Sequence, residues 1–239
     1  MIRAYLLGAL FSVALYAGPT SVFWTNCSTT CVPPDAFKAS LSNYFSVCGK
    51  GSFPPDLAIE YGLLAAYGIT GEIGVDYICG NHDPFFFNGK LSMREGTLFS
   101  HAPSISIGLF NAGTKTHGKN RTNQNIVDCV LGHSLPKPLG GVLYLGAFSG
   151  SRAMGKDRQG IMAAFNRPFH QAHDANGRHY AKWVFSADYA TGKNTIGGGG
   201  VSMTYYFTPT INVQTGPIWF NSKKINGSWK WSIQIVVVF

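Results

Sequence analysis

The stretch Trp229-Lys230-Trp231-Ser232-Ile233-Gln234-Ile235-Val236-Val237-Val238-Phe239 ends the sequence and decides how the rest is read. Trp229, Trp231, Ile233, Ile235, Val237 and Phe239 occupy every second position, and Lys230, Ser232, Gln234, Val236 and Val238 fill the alternate ones. Successive side chains of a strand point to opposite faces, so this is a strand with one aromatic and aliphatic face and one mixed face.

Working back from it, the same period of two recurs in segments of about ten residues parted by turn residues, the pattern expected of a wall with different surroundings on its two sides. Phe37, Leu41 and Phe45 alternate with Lys38, Ser40 and Ser42; Ile59, Tyr61 and Leu63 with Ala58, Glu60 and Gly62; Ile73, Val75 and Tyr77 with Glu72, Gly74 and Asp76. The last two read as a hairpin turning at Thr70-Gly71. Further segments cover 85–94, 104–109, 125–134, 141–149, 160–169, 181–189, 198–207 and 211–221, and those at 141–149 and 160–169 are the least clean because both faces are partly apolar. Residues 112–125 are polar, basic and without period, which predicts an exposed loop, and residues 168–180 predict a second long connection.

Period two alone does not say which face meets water. Tyr67, Tyr189, Trp219 and Trp229 stand near segment ends on the apolar face, as an interfacial girdle would. The opposite face carries Gly, Ser and scattered charges. Charged residues are only 13% of the chain, against about 25% in ordinary globular domains. The fold expected is all-β: a closed antiparallel transmembrane β-barrel of about 12 strands, within 10–14, closed because open strand edges in hydrocarbon cost several kcal/mol per unpaired group. Its lumen would collect Lys38, Glu60, Glu72, Asp76, Lys90, Arg94, Asp128, Lys182, Asp188 and Lys230. These charges either line a narrow aqueous path or pair across it and close it.

The terminal strand, with Trp231, Ile233, Ile235, Val237 and Phe239 on one face, resembles the last strand of bacterial outer-membrane barrels. That resemblance implies a bacterial outer-membrane location, recognition of these residues by the barrel-assembly machinery, and contact with outer-membrane lipid and lipopolysaccharide. The motifs FWTNC (23–27), DYATGKNTIGGGG (188–200) and GPIWFN (216–221) are similar to those of uncharacterised barrel families, including the one associated with phenol-degradation operons.

At the other end, Arg3 precedes an apolar run from Ala4 to Ala17 and then Gly18-Pro19. The run is shorter than a spanning helix needs and reads as a secretory signal peptide over 1–17. Residues 18–36 then form an N-terminal periplasmic lead and 37–239 the barrel. Export turns the net charge of +8 away from nucleic acid. It also places five cysteines in an oxidising compartment, where Cys27 and Cys31, both in the short polar lead, are the expected disulfide.

No constellation carries catalysis. His170, His173, Asp174 and His179 have metal-ligand types, but the expected state is a solvated turn without metal or other cofactor. His133 and adjacent Ser134 point to opposite faces of a strand and form no nucleophile–base pair. Gly192-Lys193-Asn194 lacks the glycine spacing of a phosphate loop. The function expected is a non-enzymatic small passive channel or uptake protein for small or hydrophobic compounds. A non-conducting surface adhesin or structural barrel is the alternative, and a soluble secreted β-protein the third reading.

Overall fold

The computed structural model describes residues 21–47, 51–118 and 120–239. The signal-peptide reading of 1–17 and Cys48 lie outside them.

Twelve strands run in chain order: β1 (Phe37–Phe45), β2 (Asp56–Ala66), β3 (Ile69–Ile78), β4 (Phe85–Met93), β5 (Ser104–Gly113), β6 (Asn123–Ser134), β7 (Val142–Ser149), β8 (Gln159–His173), β9 (His179–Ala190), β10 (Gly198–Thr208), β11 (Ile211–Phe220) and β12 (Lys230–Val238). Each pairs antiparallel with its sequence neighbours, and β1 pairs with β12 to close the barrel. Closure reaches the end of the chain. Phe37 and Phe239 exchange both backbone hydrogen bonds, at 2.8 and 2.9 Å, and their rings stack 6.0 Å apart. Among the described residues no free strand edge is left to present unpaired N–H and C=O groups.

The alternation sorts side chains inside out relative to a water-soluble fold. Ile59, Ile107, Val127, Leu145, Ile161, Ile233 and Ile235 are exposed on the outer wall, while Lys38, Glu72, Lys90, Asp128, Asp188, Lys230 and Gln234 are buried inside. Such a surface is stable against hydrocarbon rather than water. Tyr189, Trp219 and Phe239 lie exposed towards the ends of their strands, as an interfacial girdle requires.

Two connections differ from expectation. The β2–β3 turn sits at Tyr67-Gly68, with φ of 53° and 77°, and Thr70 and Gly71 pair within β3. Positive φ at both central residues suits the twist of a two-residue hairpin, a backbone demand that Tyr67 conceals in sequence. Residues 168–180 are not a long connection either. Strands β8 and β9 stay paired in one unbroken register to His173↔His179, although His170 takes a positive φ of 56°.

Residues 21–35 are not a lead outside the barrel. They enter at the rim bearing Phe37 and Phe239, where Pro34 bridges to Gly62, and run through the lumen towards the opposite rim. Polar side chains and backbone without a period of their own find partners on the polar inner wall. A Cβ on Gly62 would overlap the Pro33 carbonyl, and one on Gly200 would press on the Phe23 ring at 2.7 Å. The wall is therefore thinned where this inner segment passes.

Candidate functional site

The interior has two unlike halves, divided by the inner segment. Along β5–β9, Phe110, Ile126, Val130, Tyr144, Phe148, Met162 and Ala164 face inward and pack with Val22 and Cys27 of the segment. Met154, from the short 3-10 turn Arg152–Met154 in the β7–β8 connection, seals this half from above.

The half along β1–β4 holds a cavity of about 470 Å³. Phe53, Pro54, Asn81 and Asn226 border it at the far rim, Trp24, Thr25 and Asn26 form its inner wall, and four carboxylates, Asp56, Glu60, Glu72 and Asp76, share it with two lysines, Lys38 and Lys90. Lys38 Nζ meets Glu60 at 2.8 Å and Lys90 Nζ meets Glu72 at 3.5 Å. Asn88 donates to Asp76 Oδ2 at 2.8 Å. Pairs so placed lower the desolvation penalty of buried charge, and four carboxylates against two lysines leave the cavity net negative.

The inner segment is held mainly through its backbone. Asp188 Oδ2 accepts from the amides of Phe23 (3.1 Å), Trp24 (2.8 Å) and Thr25 (2.6 Å) and from the Thr25 hydroxyl (3.0 Å). Glu72 Oε2 accepts from the Val32 amide at 2.7 Å. In the other direction, Lys90 donates to the Thr30 carbonyl, Ser92 to Thr29, Ser106 to Ser28, Gln214 to Val22 and Gln234 to Phe23. Acceptors on the wall meet N–H groups and donors meet C=O groups, which satisfies a backbone that is withdrawn from water. At the far rim the Trp24 ring lies among Tyr44, Phe53 and Phe220 and its Nε1 donates to the Ile196 carbonyl at 2.8 Å.

Of the charges expected in the lumen, Lys38, Glu60, Glu72, Asp76, Lys90, Asp128, Asp188 and Lys230 do face inward. Asp128 lies beside Asn26, 3.4 Å away. Lys230 is fully buried under the far rim, donating to the Gly51 carbonyl at 2.5 Å with its Nζ 4.4 Å above the Phe53 ring. Two lie elsewhere. Arg94 follows the end of β4 and is exposed. Lys182 is at the terminal rim, with its amine 4.8 Å from the ring of outward-facing Tyr205. Arg94 lies past the end of its strand, where parity no longer fixes direction, whereas Lys182 keeps the inward parity of β9 and reaches the Tyr180 hydroxyl, 3.4 Å away, near the rim. Asp56 was missed, although it shares the parity of Ala58 and Glu60; it stands just ahead of the alternation that flagged its neighbours.

The expected Cys27–Cys31 disulfide is absent: both thiols are free. Cys27 packs in the apolar half, whereas Cys31 Sγ points to the Thr70 carbonyl, 3.8 Å away. The two side chains thus point to different parts of the interior. Cys27 is fully buried and Cys31 half-buried.

Among solved structures, the KdgM porin and the KdgM porin in complex with disordered oligogalacturonate are each similar to this chain with a TM-score of 0.50 at 10% identity, over 85% of this chain and 99% of theirs. A mutant of Rh. blastica porin has a TM-score of 0.41 at 9% identity, over 77% of this chain and 55% of its own. At such identities the KdgM likeness is one of fold. No family model matches the chain, and neither does any curated protein.

Proposed function

We propose that the protein is an outer-membrane channel admitting small molecules, with the inner segment narrowing the passage. The observation that carries this reading is the cavity of about 470 Å³ lined by Asp56, Glu60, Glu72, Asp76, Lys38 and Lys90 inside a barrel whose outer wall is apolar. An interior meant only to be filled would not keep a charged, solvent-sized space beside a well-packed apolar half. The fold shared with the KdgM porin supports the reading, and the face formed by Trp231, Ile233, Ile235, Val237 and Phe239 supplies the proposed signal to the barrel-assembly machinery.

A second reading, a non-conducting barrel, draws on the hydrogen bonds that fix residues 22–32 in the lumen. Ion conductance of the refolded, heat-modifiable protein in a planar bilayer separates the two. Discrete conductance whose ion selectivity moves with Asp76→Lys and Lys90→Glu supports the channel. Silence from correctly folded wild type supports the closed barrel.

A further inference from the structure

The hairpin joining β8 to β9 carries two imidazoles that a channel does not use. His173 and His179 are opposite each other in the last pair before the turn, both exposed, with Nε2 atoms 3.2 Å apart and ring centroids 3.9 Å apart. The turn beneath them is braced. Asp174 Oδ1 accepts from the amides of Asn176 and Arg178 at 2.9 and 2.8 Å. Its Oδ2 accepts from Arg178 Nε at 2.6 Å, and Gly177 takes the positive φ, 76°, that the reversal needs.

We propose that His173 and His179 form a two-histidine clip for a divalent first-row transition-metal ion, bound most tightly as copper(II). Two nitrogens 3.2 Å apart, each about 2.0–2.1 Å from a shared ion, subtend about 100° at it, between the square-planar and tetrahedral values. The ring nitrogens are spaced for such an ion on two strands whose backbones are tied by the hairpin, and because the centroids stand 3.9 Å apart both exposed rings turn about their side-chain bonds to aim at it. Imidazole suits copper and zinc, and the general order of affinity places copper(II) first. Asp174 is engaged by Arg178, and among the described residues no group of three or more His, Cys, Asp or Glu side chains is placed to hold a metal. Water completes the coordination, as exposure at the rim permits. The same 3.2 Å also fits an N–H···N hydrogen bond between neutral rings, and the ion takes its place once the donor ring carries its proton on Nδ1 instead of Nε2.

The test is titration of the refolded full chain in detergent with copper(II) chloride, followed by electron paramagnetic resonance, with heat-modifiable migration confirming the fold of each variant. The expected result is one tight equivalent showing hyperfine coupling to two nitrogens, with His173→Gln and His179→Gln each weakening it about tenfold or more and leaving a single nitrogen. His170→Gln should bind as wild type does. Copper bound equally well by His173→Gln and His179→Gln, or no stoichiometric copper on wild type, overturns the proposal.

Discussion

The two halves of the lumen obey the same period of two and end in opposite states. Along β1–β4 the inward positions are Lys38, Glu60, Glu72, Asp76 and Lys90, and a cavity remains. Along β5–β9 they are mainly Phe110, Ile126, Val130, Tyr144, Phe148 and Met162, and the space is filled. The difference lies in what the inner segment brings to each. Val22 and Cys27 give the second half an apolar surface to bury, whereas the segment's backbone is held by polar side chains on both sides, Glu72, Lys90 and Ser92 from the first half and Ser106 and Asp188 from the second. This also explains why 141–149 and 160–169 read poorly in sequence. Their outer face meets lipid and their inner face meets an apolar core, so both sides are apolar for different reasons.

The sharpest way to break this division is Asp188→Ala. It strips a single acceptor from three amides and a hydroxyl, and buried donors without partners cost about 1–3 kcal/mol each. The expected outcome is release of residues 22–25, a loss of at least about 3 kcal/mol of stability, and a severalfold rise in bilayer conductance. Unchanged conductance in a folded variant would show that the segment does not limit passage.

Next in size, Ile126→Ala in the packed half should cost about 2–4 kcal/mol through the void it leaves and leave ion selectivity alone. Asp76→Lys should do the reverse, moving selectivity towards anions with a smaller loss of stability. Denaturant melts read alongside reversal potentials check the pair. A selectivity change in Ile126→Ala would erase the distinction between the halves.

Thiol labelling probes the inner segment more gently. Cys27 is packed in the apolar half and Cys31 is held against the wall at the Thr70 carbonyl, so a reagent reaches neither while the segment stays in the lumen. Maleimide should therefore modify them at least about a hundredfold more slowly in the folded barrel than in urea. Equal rates would place the segment outside the lumen.

The smallest effect belongs to the terminal rim, where Glu95 accepts from the Ser134 amide and hydroxyl and from His133. Partial burial acts to raise this carboxyl, but the Ser134 and His133 contacts outweigh it and hold it below its ordinary value. A depressed folded value gives stability that is present above the unfolded value, about 4.3, and is lost as pH falls through the folded one. Glu95→Gln should flatten a slight drop in melting temperature between pH 5 and pH 3. A drop that persists in the variant would assign it to other groups.

What the sequence determined by itself was the wall: its strands, its closure and the inward face of residues such as Glu72, Lys90 and Asp188. That follows because each side chain's direction is fixed by its parity along a strand, and parity can be read without knowing any partner. The tertiary structure alone decided what fills the barrel. Residues 21–35 have no repeating pattern, and their partners lie up to 211 positions away, as with Phe23 and Gln234. Only the closed barrel brings those side chains around one inner segment, so the route of that segment, and with it the split between packed half and cavity, is set by closure and not by any local pattern.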